Sequence, residues 1–213
     1  MTQNPYYIVA IGASAGGHQA LWDFFSNIPS PSGAAFIVLQ HLKRDVVSIA
    51  DKLLANYTPL PICWATEEQP VEPNHIYLLP AGKYMTIRDR KLRLVDRDPQ
   101  VLLNQAIDTF LVSLAQDQDG HSIGIILSGA GSDGVRGAIA IYDGGGLMMA
   151  QAPRTAEFSS MPDSVIAKDH THIVLSPKEL ARALVGLISE PASGIAGSFR
   201  NEQMGKFKPK EKL

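Results

Sequence analysis

Three apolar runs, each closing on a polar residue, constrain the fold more than any other feature of the chain. They are IVAIGASAGG (Ile8–Gly17), FIVLQH (Phe36–His41) and IGIILSGAGSDG (Ile123–Gly134). Runs that are apolar at every position suit strands buried on both faces, as in a parallel sheet covered by helices. Between them the apolar spacing changes to the helical period. Ala20, Leu21, Phe24 and Phe25 mark a helix over Gln19–Phe25, and Val46–Asn56, Leu102–Ala115 and Val135–Tyr142 read the same way. Ile62–Ala65, Leu147–Ala150 and His172–Leu175 are short strands. Ser176-Pro177-Lys178-Glu179 has the pattern of a capping box with proline at the first helical position, opening a helix to about Ser189.

Strands alternating with helices predict an α/β fold: a doubly wound, mostly parallel sheet in a Rossmann-like three-layer arrangement. One stretch breaks the alternation. Ile76–Leu79, Tyr84–Arg88 and Lys91–Val95 alternate apolar and polar residues, and Asp89-Arg90 suits a two-residue turn. They predict a small antiparallel β insert around 76–95 at the edge of the sheet. Its basic residues (Arg88, Arg90, Lys91, Arg93, Arg97) are interleaved with Asp89, Asp96 and Asp98, the pattern of a solvated face. Residues 1–190 are expected to form one catalytic domain. Residues 191–213 lose periodicity and end in KFKPKEKL, which reads as a polar tail or linker, poorly ordered.

Composition narrows the function. With 19 basic and 21 acidic side chains the chain lacks the positive excess of a dedicated nucleic-acid binder. No apolar run is long enough for a membrane span, and no lysine or arginine precedes Lys43 to start a targeting peptide, so a cytoplasmic location is expected. A single cysteine, Cys63, excludes an internal disulfide and a Cys-cluster metal site. No metal or cofactor is expected.

Ligands of open parallel sheets bind beyond the carboxyl ends of the strands. Ser14, His41 and Asp133 all stand at such ends, so they are expected to face one crevice. Gly12-Ala13-Ser14-Ala15-Gly16 fits G-x-S-x-G, a tight strand-to-helix turn that lifts a serine out of the backbone. The same turn also suits a phosphate cradle, although it lacks the lysine of a P-loop and the central glycine of a dinucleotide fingerprint. His41 is the only one of six histidines that directly ends a buried apolar run. His18, in the first loop, is a second candidate; His75, His121, His170 and His172 read as loop or strand-start residues. Asp133 has two readings: an N-cap for the helix starting at Val135, or the carboxylate that orients the imidazole of a Ser/His/Asp triad. The order Ser, His, Asp differs from that of an α/β-hydrolase, so any likeness is one of chemistry rather than fold.

IGASAGG, VLQHL, LSGAGSDGVRG and AQAPRTAEFSSMP, in this order, resemble the catalytic domain of the bacterial chemotaxis protein-glutamate methylesterases, the CheB type, from about Tyr6 to Leu187. The resemblance implies a catalytic Ser14, His41 and Asp133. It also implies hydrolysis of glutamate γ-methyl esters on the cytoplasmic helices of methylated chemoreceptors, with release of methanol, and deamidation of receptor glutamines as a related activity. The chain departs from the family at Ala15, where threonine is frequent, at Ala130 (methionine) and Ser132 (alanine), and at Lys43-Arg44, where proline is common. Ala15 and Ser132 resemble the variant fused to a receptor methyltransferase; the resemblance implies as partner such a methyltransferase or the family's usual phosphorylatable receiver domain, fused or separate. Two alternatives stay open: a nucleotide-binding regulatory module using the 12–17 turn, and a receptor-docking domain with weakened catalysis.

Overall fold

The computed structural model describes residues 6–42, 48–101, 103–118 and 120–189. Seven parallel strands form one sheet: β1 (Ile8–Ala13), β2 (Ala35–Gln40), β3 (Ile62–Trp64), β4 (Ile76–Leu78), β7 (Ser122–Ile126), β8 (Leu147–Gln151) and β9 (Ile173–Leu175). A two-stranded hairpin, β5 (Lys83–Arg88) and β6 (Lys91–Asp96), stands apart from it. The helices are α1 (Gly17–Phe25), α2 (Ala50–Leu54), α3 (Ala106–Asp117), α4 (Val135–Asp143), α5 (Ser160–Ile166) and α6 (Pro177–Ile188). The strand order is β3-β4-β2-β1-β7-β8-β9.

This is the doubly wound, three-layer α/β architecture expected from the alternation. Each strand residue points to the face opposite that of its neighbour, and β1 shows the result. Val9, Ile11 and Ala13 join the core built with Ala20, Leu21, Phe24 and Phe25 of α1 and Leu180, Ala181 and Leu184 of α6. Ile8 and Ala10 join the opposite core, with Ile107, Phe110, Leu111 and Leu114 of α3 and Ala138 and Ile141 of α4. Burial on both faces is why the strand sequences carry no polar alternation.

From β1 the chain passes to β2 on one side, out to the edge strand β3 and back to β4 between β3 and β2, and later places β7 on the other side of β1. The strand order reverses between β1 and β7, so their connections leave the sheet in opposite directions and open a crevice beyond the carboxyl ends. Ser14 directly follows β1, Asp133 lies on the loop after β7, and His41 follows β2, the next strand over.

The antiparallel insert is smaller than the alternation suggested. Ile76–Leu78 pairs in parallel with both β2 and β3, inside the main sheet, so the insert is the β5–β6 hairpin alone. Tyr77 and its neighbours are buried on both faces there, and the short run carries too few residues to distinguish the two environments from pattern. The hairpin also does not extend the sheet edge. Met85, Ile87 and Leu92 pack into the same core as α3, and the Asp117 carboxylate at the end of α3 accepts the tip amides of Asp89 and Arg90 at 2.5 and 3.2 Å. Those two residues have φ of 51° and 56°, the mirror-image turn expected of a two-residue hairpin loop. Its charges face solvent in pairs such as Lys83–Asp96 at 2.7 Å.

Two helix starts differ from expectation. The helix expected over Val46–Asn56 is described as α2, Ala50–Leu54, residues 43–47 lying outside the described set. The helix expected from Leu102 begins at Ala106, for a reason that belongs to the site. The tail expected over 191–213 also lies outside the described residues.

Candidate active site

β1 and β2 run in register to the pair Ala13↔Gln40, so Ser14 and His41 are the next residues of adjacent strands. The His41 amide leans on the Ala13 carbonyl at 3.4 Å. Asp133 arrives from the other side, on the loop between β7 and α4. Its Oδ2 lies 2.7 Å from His41 Nε2, with side-chain exposures of 16% for the histidine and 5% for the aspartate. A carboxylate can only accept, so the hydrogen of this contact belongs to Nε2, and Nδ1 is the nitrogen left to act as a base. No hydrogen bond joins the Ser14 hydroxyl to the ring; such contacts are often long in unliganded sites and tighten around substrate.

The Ser14 turn is held by backbone. Ser14 N–H donates to the Ser128 carbonyl at 3.0 Å and Gly17 N–H donates to the Ser14 carbonyl at 2.9 Å. Gly16, at φ 67°, supplies the left-handed step that starts α1. A side chain there would also collide with Glu157 and with the Ser128 hydroxyl, both within 2.9 Å of its first carbon. Ser128 ties the loops together. Its hydroxyl donates to the Ala15 carbonyl at 2.9 Å and accepts the Phe158 amide at 3.0 Å, while its own amide donates to Gln151 Oε1 at 2.8 Å. Gly129 lies so close to Met161 Sδ and Ser14 Cβ that a side chain there would meet them at 2.3 and 3.1 Å. Thus the AQAPRTAEFSSMP segment forms one wall beside Ser14.

Asp133 does not cap the helix that follows it. α4 starts behind Gly134, which has φ 105° and, as a glycine, brings no capping side chain of its own. The Asp133 carboxylate instead accepts the Ile107 and Asp108 amides at 3.0 and 2.9 Å, at the start of α3. This fixes why α3 begins at Ala106: its free N–H groups meet their acceptor there. Asp108 returns the contact. Its buried carboxylate accepts from the Gly134 and Gly137 amides at 3.0 and 2.9 Å and from Arg136 Nε at 3.2 Å.

Asp108, Ser128 and Gln151 were not singled out from sequence. The available signal was weak: a polar residue inside or directly behind an apolar run, which at Asp108 reads as a favourable charge near a helix start. Of the remaining histidines, His18 sits on the exposed side of α1 beside Trp22. His172 Nδ1 accepts the Met148 amide at 3.1 Å, a contact between strand ends far from Ser14 in the fold. Among the described residues no group of three or more His, Cys, Asp or Glu side chains is placed to hold a metal ion, and no helix is long and apolar enough to cross a membrane. The clear upward pKa shifts fall on packed groups elsewhere: burial raises Cys63 and pushes the Tyr77 phenol up to about 12.

The turn makes a poor phosphate cradle. The Glu157 carboxylate lies over Gly16, within 2.7 Å of where a side chain there would begin. A negative group at the mouth of α1 opposes the anion that a helix N-terminus would otherwise attract.

The fold and sequence have clear relatives. The chain is similar to the crystal structure of the Thermotoga maritima CheB methylesterase catalytic domain, with a TM-score of 0.80 and 26% identity, over 86% of this chain and 100% of that one. It is 28% identical over 187 residues to protein-glutamate methylesterase/protein-glutamine glutaminase 1 of Myxococcus xanthus, covering 86% of this chain and 54% of the relative. It is 39% identical over 115 residues to an uncharacterized 104.1 kDa protein of Rhodobacter capsulatus, covering 54% of this chain and 12% of that protein. The chain therefore spans about half the length of the first of these named methylesterases, and a small part of the longer protein. The CheB methylesterase family profile matches residues 9–184, most of the chain, and with the shared fold it establishes that this protein belongs to the CheB methylesterase family.

Proposed function

We propose that the protein hydrolyses glutamate γ-methyl esters on the cytoplasmic helices of chemoreceptors, with Ser14 as nucleophile, His41 as general base and Asp133 as its orienting carboxylate. The observation that carries this reading is the 2.7 Å contact between His41 Nε2 and Asp133 Oδ2, made at the end of the strand beside Ser14. Relatives named as protein-glutamate methylesterase/protein-glutamine glutaminase support the substrate class.

In this mechanism His41 Nδ1 takes the Ser14 proton as the serine oxygen attacks the ester carbonyl. Asp133 stabilises the imidazolium that results. The same ring then protonates departing methanol, and water hydrolyses the glutamyl-enzyme. General-base catalysis of this kind contributes about 10²–10⁴-fold. The Ser14, Gly17, Gly129 and Gly131 amides already donate to protein acceptors. With the Glu157 carboxylate over Gly16, the Ala130 amide on the second loop is left for the oxyanion, a donor of this kind contributing about 2.7–4 kcal/mol. Glutamine deamidation follows the same path with ammonia as the leaving group.

The test is release of volatile methanol from methyl-labelled receptor membranes, with Ser14→Ala, His41→Ala and Asp133→Ala alongside. The native protein should release label, and each variant should fall towards background. Equal release by all four proteins overturns the assignment. Receptor binding without methanol release by the native protein favours the docking alternative instead.

A further inference from the structure

Asp108 holds the loop that carries Asp133 from two directions. Gly131 and Gly134 both adopt positive φ, 94° and 105°, so the backbone around Asp133 is intrinsically free. Its position must come from contacts. On one side, the Asp108 amide donates to Asp133 Oδ1 at 2.9 Å. On the other, the Asp108 carboxylate accepts the amide of Gly134, the residue next to Asp133, at 3.0 Å, and that of Gly137 at 2.9 Å. Asp108 is 5% exposed, and its second oxygen meets the Arg136 guanidinium, so its charge is compensated by one cation and a helix N-terminus. One buried residue therefore fixes both the backbone after Asp133 and the carboxylate oxygen that does not face His41.

We propose that Asp108 is a positioning residue for the reaction, acting through Asp133 to set the His41 ring. The proposal rests on the reading of Asp133 as partner to His41. An uncommitted Asp133 loop would let the carboxylate leave Nε2, and the ring would lose both its fixed tautomer and its orientation. Misplacement of a catalytic group by about 1 Å costs on the order of 10²-fold in rate.

The test uses the full chain with Asp108→Ala, Asp108→Asn, Asp133→Ala and the double variant. It reads kcat and KM for methanol release and the downfield proton resonance of the His41 ring N–H that Asp133 accepts. Asp108→Ala should lower kcat by about 10²-fold with KM unchanged, and should broaden or abolish the resonance. Asp108→Asn keeps an oxygen for Gly134 and Gly137, so it should restore most of both. In the Asp133→Ala background, removing Asp108 should cost nothing further, which a merely structural role would not produce. Native kcat and resonance in Asp108→Ala overturn the proposal, as does a loss that multiplies that of Asp133→Ala. Should Asp108→Ala fail to fold, Asp108→Glu decides: it keeps the charge but displaces the carboxylate by one methylene. Loss of kcat and resonance in that variant supports the proposal, and retention of both overturns it. An Asp133→Ala protein with native kcat sinks the Ser/His/Asp reading itself, an outcome separate from failure at Asp108 alone.

Discussion

α6 is capped from within its own sequence, whereas α3 and α4 are capped by each other. At α6 the Ser176 amide and hydroxyl both donate to the Glu179 carboxylate, three residues on, with the amide at 3.0 Å. At α3 and α4 the carboxylates cross: Asp133, which precedes α4, takes the second and third amides of α3, and Asp108, in the first turn of α3, takes those of Gly134 and Gly137 at the start of α4. Both arrangements satisfy N–H groups that a helix start leaves open. The difference is in what else they fix. The local cap sets where one helix begins. The crossed caps lock two helices and a glycine-rich loop around a single carboxylate, and that carboxylate touches His41.

The comparison is most sharply tested at Asp133 itself. Asp133→Asn keeps an acceptor oxygen for α3 but gives His41 a neutral partner, so kcat for ester hydrolysis should fall by about 10⁴-fold. A variant with native turnover would reduce the crossed cap to a structural device. Asp133→Ala removes the acceptor as well and leaves the Ile107 and Asp108 amides unsatisfied, which should cost about 1–3 kcal/mol of stability in urea unfolding. Ser176→Ala, which removes the local cap, should cost about 0.5–2 kcal/mol and leave kcat untouched. A loss of kcat there would erase the distinction.

The smallest effect is at Glu179. The Ser176 hydroxyl and amide hold its carboxyl below the ordinary glutamate value. A lowered native value means that the carboxylate contributes stability above the ordinary range and loses that contribution as pH falls through its own titration. Glu179→Gln should therefore be less stable than the native chain by about 0.3–1 kcal/mol at neutral pH, as expected for an exposed charge at a helix start. The gap should close in acid. A gap that widened as pH fell would contradict the capping geometry.

The same contrast separates what could be read from the chain from what could not. The strands of the sheet are continuous apolar runs, and β1, β2 and β7 are legible because burial on both faces demands it. The hairpin turn at Asp89-Arg90 is a two-residue pattern with local geometry. The place of Ile76–Leu78 is not legible, because three apolar residues suit either sheet, and only pairing with β2 and β3 decides. Ser14, His41 and Asp133 stood out because each ends an apolar run or lies in the glycine-rich loop behind it. Asp108 did not stand out, since an acidic residue near a helix start is ordinary and its partners at 134 and 137 are far along the chain.

By itself, then, the sequence determined the alternation of buried strands and helices, the tight turn at Ser14, the hairpin turn and the α6 cap. Each depends on residues within a few positions of one another, where burial period, allowed φ and hydrogen-bond reach are set locally. The tertiary structure decided that the order of strands reverses between β1 and β7, that Asp133 turns away from its own helix towards α3 and His41, and that Asp108 answers it. Those contacts join segments 25 to 92 residues apart. Only the packed sheet brings them within hydrogen-bond distance, because no local rule of backbone or side chain acts over such a span.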